Sequence, residues 1–164
     1  MGKKYQVQNF GSSGATALNR GNHPYQQTSA YTQALQFKPD ILVVILGTND
    51  CKINLDSPTR VQFHSDYATL LAAFKAANPT VKIYPCLPPP FFGAVSGSNG
   101  QLTRAVLPLI QAVAGEERYQ VIDFNTPLSN RGELFADGIH PNTEGTRLMA
   151  AEVYRTLTGS PPPA

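Results

Sequence analysis

The sequence has little charge. Lys, Arg, Asp and Glu make up 15% of its 164 residues, against about 25% in ordinary soluble proteins. That density excludes a disordered chain held open by like-charge repulsion. The 13 Lys and Arg stand against 11 Asp and Glu, a formal net charge of +2, with no run of basic residues. Nucleic acid is therefore not the expected partner. Long apolar runs are absent too. The longest, Ile41 to Leu46, falls far short of the roughly 20 residues of a membrane-spanning helix. Two cysteines, Cys51 and Cys86, are too few for a disulfide framework or a four-ligand zinc site. One bridge between them is conceivable, with free thiols the plainer reading. Met1-Gly2-Lys3-Lys4-Tyr5 carries no apolar signal-peptide core, and the localisation stays open.

What is present is a pattern of alternating strands and helices, in a length that suits one domain. Tyr5 to Phe10 reads as a strand, closed by Gly11-Ser12-Ser13-Gly14. Ala15 to Asn19 reads as helical, and Thr28 to Phe37 more strongly so, ending at Lys38-Pro39-Asp40. Ile41 to Leu46 is apolar without alternation, the mark of a strand buried on both faces of a parallel sheet. Val61 to Ala77 carries an apolar helical stripe, Val81 to Leu87 is a strand, and Leu102 to Val113 is a helix that Pro108 kinks or opens. Tyr119 to Phe124 is a further strand and Glu144 to Leu157 the closing helix. The expectation is an α/β fold with a mostly parallel sheet, a single domain over 1–158 and a flexible Pro-rich tail over 159–164.

In such sheets ligands bind beyond the carboxyl ends of the strands. Three polar loops follow strands and should converge there: 11–14, Gly47-Thr48-Asn49-Asp50, and Asp137-Gly138-Ile139-His140-Pro141. Asp137 and His140 lie three apart, before a helix that Asn142 or Thr143 would cap. A carboxylate beside an imidazole fixes its tautomer and stabilises the imidazolium formed in general-base catalysis. Each residue also has a plainer role, Asp137 as a turn former and His140 on the surface. Asn49 offers an amide to a developing oxyanion, or simply caps its turn.

Together these segments resemble the SGNH (GDSL-type) hydrolase family. Val7-Gln-Asn-Phe-Gly-Ser-Ser-Gly-Ala-Thr16 resembles its second block, Gly47-Thr-Asn-Asp50 its third and Asp137-Gly-Ile-His-Pro141 its fifth, in matching order. The resemblance implies a flavodoxin-like three-layer αβα sandwich. It also implies esterase chemistry on short-chain acyl or acetyl esters, including those carried by carbohydrate, through an acyl-enzyme and without a metal or other cofactor. By position, Gly14 and Asn49 would be oxyanion donors, Asp137 the orienting carboxylate and His140 the base. The family opens with a strand ending in Gly-Asp-Ser, which supplies the nucleophile. The blocks here begin after that unit. The resemblance thus implies that the first strand is missing from a central place between Tyr5–Phe10 and Ile41–Leu46.

Phe10-Gly11-Ser12-Ser13 imitates the absent motif. If the Tyr5–Phe10 strand shifted into the vacant place, Ser13 would arrive facing His140, with Ser12 the second candidate; both serines also suit a hydrogen-bonded turn. Cys51 is a further nucleophile candidate, disfavoured by Asp50 beside it. His64 reads as a structural or surface residue, His23 as part of a loop that could flank the substrate, and Pro88 to Gly93 as an apolar wall or a rigid loop. Two other functions stand beside the esterase: an inactive domain that binds ester or glycan ligands, and half of an enzyme completed by another chain. A sheet with a vacancy must close up or accept a strand from a second copy, so a homo-oligomer is expected.

Overall fold

The computed structural model describes residues 5–162. Residues 1–4 and 163–164, which hold most of the segment read for a signal core and the end of the Pro-rich tail, lie outside the described residues. Among the described residues no helix is long and apolar enough to cross a membrane.

Thr28 starts α1 (Ser29–Phe37) by accepting the Tyr31 amide, and Lys38 ends it in the left-handed conformation. β1 (Ile41–Val44) follows. Asp56 caps α2 (Ser57–Ala77) through the Thr59 amide, with Pro58 in the first turn where no N–H is needed. These signals set the start ahead of Val61, where the apolar stripe begins. α2 buries Phe63, Tyr67, Leu70, Leu71 and Phe74. β2 (Lys82–Leu87) leads to a long helical stretch: α3 (Asn99–Gln101), a π-helical segment (Leu102–Val106) and α4 (Leu107–Glu116). Pro108 lies in the first turn of α4. It has no N–H to give the preceding turn, which widens instead. β3 (Ile122–Asp123), α5 (Asn125–Leu128) and α6 (Thr143–Thr158) complete the chain.

The three strands form one parallel sheet in the order β1-β2-β3, with Ile41 opposite Lys82 and Cys86 opposite Ile122. Helices cover both sides, which is the expected three-layer α/β architecture. α1, α2 and α4 pack with Val44, Ile83 and Leu87 in the larger core. On the other face Leu148, Met149 and Val153 of α6 pack with Val43, Tyr84, Cys86, Ile122 and Phe124.

Four segments differ from the expectation. Residues 5–10 form no strand and are largely exposed, and no ladder joins them to β1. A strand needs a partner, and here a cleft of about 900 Å³ lies along β1, bordered by residues 5–12 on one side and by α6 on another. The expected shift of this segment into the sheet does not occur. Ile41 to Leu46 is consequently an edge: its strand stops at Val44, and only Val44 within it is fully buried. Residues 15–19 are turns rather than a helix, held by a parallel bridge between Thr16 and Pro24. Tyr119 to Phe124 shrinks to two strand residues. Leu87 faces β3 through its carbonyl, which accepts from Phe124, so Pro85 faces the same way and has no N–H to extend that ladder.

Candidate active site

Asp137 builds the best-defined polar group. Its Oδ1 accepts from the Ile139 and His140 amides at 2.9 and 2.8 Å, and its Oδ2 lies 2.6 Å from His140 Nδ1. A carboxylate only accepts, so Nδ1 carries a proton, and in the neutral ring Nε2 is the nitrogen with the lone pair. The His140 amide first, then the imidazole and the Ile139 amide, hold the Asp137 carboxyl well below the usual carboxylate range. The imidazole is open, 75% exposed. Its loop is nonetheless fixed. Gly138 has φ +79°, and a Cβ there would meet the Phe92 carbonyl oxygen at 2.3 Å. The Gly138 carbonyl accepts from Phe92 at 2.9 Å. Asn142 caps α6 by accepting the Gly145 amide at 3.0 Å, which anchors the far side. Phe92 also packs on Phe135 and, with Gly93, walls a cavity of about 400 Å³ beside Asp137. Of the Pro88–Gly93 segment, Phe92 and Gly93 line this cavity.

A second polar group joins the loop after β1 to the 11–18 segment. Asn49 Nδ2 donates to the Ala15 carbonyl at 3.1 Å, while Lys52 donates to Asn49 Oδ1 at 3.1 Å. These bonds fix the amide's orientation and leave its second N–H to spare. Asp50, fully buried, accepts from the Ala17 and Leu18 amides at 3.0 and 2.9 Å. Burial raises its carboxyl above the ordinary value, and the two amides oppose that rise. Sequence reasoning gave Asp50 no role of its own. Its place beside Asn49 after a buried strand was the available signal. Gly14 turns the chain at φ +77° in open space.

The two groups are separate in their hydrogen bonding. The His140 ring bonds Asp137, and no hydrogen bond joins it to Ser12, Ser13 or Asn49 among the described residues. Ser13 is exposed. Ser12 instead meets His23, its Oγ 2.9 Å from Nε2, a pairing that a spacing of eleven residues does not announce. Cys51 and Cys86 are free and buried. Burial first, then Asp50, pushes the Cys51 thiol up to about 12, which removes it as a nucleophile. His64 bonds Glu116 at 3.1 Å across two helices in an exposed contact.

Over residues 1–148 the chain matches the GDSL-like lipase/acylhydrolase family. It belongs to that family. An acetylxylan esterase of Xylanibacter ruminicola is 35% identical over 92% of this chain, and the chain spans only 35% of that protein's length. A crystal structure of an acetyl esterase mutant with an acetate ion superposes with a TM-score of 0.68 at 25% identity, over 90% of this chain and 68% of the other. A carbohydrate esterase family 3 structure from Talaromyces cellulolyticus gives 0.66 at 23% identity, over 90% and 68%; it supports the fold.

Proposed function

We propose that this chain hydrolyses short-chain acyl esters, acetyl esters on carbohydrate among them, with His140 as general base. The 2.6 Å contact between His140 Nδ1 and Asp137 carries the reading. It fixes the tautomer of the neutral ring with Nε2 as acceptor, and stabilises the imidazolium that forms when a proton is taken. Membership of the acylhydrolase family and similarity to an acetylxylan esterase support the substrate class. In this reading a serine of the 11–14 turn, Ser13 first, attacks the ester carbonyl while His140 accepts its proton. The spare Asn49 N–H and the Gly14 amide hold the oxyanion. The alcohol leaves with the proton from His140, and water then hydrolyses the acyl-enzyme. No cofactor enters. Catalytic hydrogen bonds often tighten only when substrate is bound.

A chromogenic acetyl ester and pure protein test the reading. His140→Ala should lower turnover by about 10³-fold or more, and Asp137→Asn by about 10²- to 10⁴-fold. Hydrolysis unchanged by His140→Ala overturns it. The separation of Ser13 from His140 favours a second reading, an inactive domain that binds ester or glycan ligands. Binding of acetylated xylo-oligosaccharide without turnover is its signature.

A further inference from the structure

We propose that α3, with the π-helical segment that continues it, is a strut between the His140 loop and the Asn49 loop, and that Asn99 and Gln101 are positioning residues for ester hydrolysis. The inference rests on the reading above, in which His140 and Asn49 serve one reaction, and adds what holds them in register.

Three observations carry it. On the His140 side, Asn99 clamps the backbone of Phe91. Its Oδ1 accepts the Phe91 amide at 2.8 Å and its Nδ2 donates to the Phe91 carbonyl at 2.7 Å. A carboxamide both donates and accepts, so one side chain satisfies both groups. The next residue, Phe92, donates its amide to the Gly138 carbonyl at 2.9 Å. A single peptide step thus separates the clamp from the loop that aims the imidazole.

On the Asn49 side, Gln101 Nε2 donates to the Ile53 carbonyl at 3.1 Å. Ile53 in turn gives its amide to the Asp50 carbonyl at 3.0 Å, closing the helical turn Asn49–Lys52. The strut is also anchored. Leu102, Ala105 and Val106 of the π-helical segment are buried. Val106 seats on the start of the Asn49 loop, where a Cβ on Gly47 would come within 2.6 Å of Val106 Cγ1. Such a widened turn recurs at functional sites.

The chemistry explains the need. A base and an oxyanion donor must address one carbonyl carbon, and a displacement of about 1 Å can cost about 10²-fold in rate. The His140 and Asn49 groups share no hydrogen bond of their own among the described residues. Two side chains on one short turn reach both loops.

The test combines kinetics on the chromogenic acetyl ester with NMR of the whole chain. Asn99→Ala and Gln101→Ala should each lower kcat about tenfold or more with KM within about twofold, because alignment is lost and binding groups stay. The double variant should lose no more than about twofold beyond the worse single, since either cut breaks the same strut. Asn78→Ala removes a bond to the Pro39 carbonyl at the amino end of the strands and should keep the wild-type kcat. In NMR, Gln101→Ala should shift the His140 Nδ1 proton, and Asn99→Ala the Asn49 side-chain amide, each across the strut from its own contact. Losses in kcat that multiply in the double variant, a rise in KM in place of the fall in kcat, or shifts confined to the near side of each cut overturn the proposal. Where Asn99→Ala fails to fold, the His140 signal in Gln101→Ala decides. The NMR arm needs no turnover, so hydrolysis unchanged by His140→Ala overturns the reading above while the far-side shifts still judge the strut.

Discussion

Asp50 does for a backbone what Asp137 does for an imidazole. Both carboxylates accept two neighbouring amides, but Asp50 does so fully buried and Asp137 in the open. The difference decides what each removal costs. Without Asp137 the freed amides meet water and the lost quantity is the orientation of His140. Without Asp50 the amides of Ala17 and Leu18 stay inside the core with no acceptor, at about 1–3 kcal/mol each. Asp50→Ala should therefore destabilise the fold by about 2–6 kcal/mol in urea unfolding, and it should free the 15–18 turns from Asn49. A loss under about 1 kcal/mol would show that water replaces the carboxylate.

At the scale of elements, the cap of α6 links stability to the site, because His140 and Pro141 directly precede it. Asn142→Ala removes the acceptor of the Gly145 amide and should cost about 1 kcal/mol. It should also weaken the positioning of His140, lowering ester turnover more than its stability loss alone accounts for; equal losses in unfolding and unaltered turnover would separate cap from site. The features legible in the sequence were the local ones. Helices α1, α2 and α6 carry their periodicity and caps within a few residues, and the Asp137–His140 turn closes over three. Features set by distant neighbours were not legible. Residues 5–10 alternate like a strand yet have no ladder, and β3 is cut short by Pro85 on another strand, whereas Pro108 sits in the first turn of α4, one of the two places its sequence position allowed. Ser12 and His23 meet only because the Thr16–Pro24 bridge folds the intervening chain back. The turn serines and His23 were legible as candidates, and their pairing was not.

Among the described residues, the β1 side of the sheet has no neighbouring strand. Lys82 donates to the Asp40 carbonyl, so alternation in a parallel pair turns Leu42 and Val44 toward β2. The backbone groups of Ile41 and Val43 are left on the outer edge, facing the cleft. A strand placed there covers the apolar walls and also satisfies those N–H and C=O groups. Edges of this kind pair readily with another chain, and the exposed Ile45, 43% accessible beside β1, adds to the apolar rim. The expected outcome is self-association through this edge. Light scattering at micromolar concentration should give at least twice the 17.7 kDa chain mass. Ile45→Lys, which puts a charge on the rim at an already exposed position, should shift the population toward single chains. A mass near 17.7 kDa at every concentration would overturn this expectation.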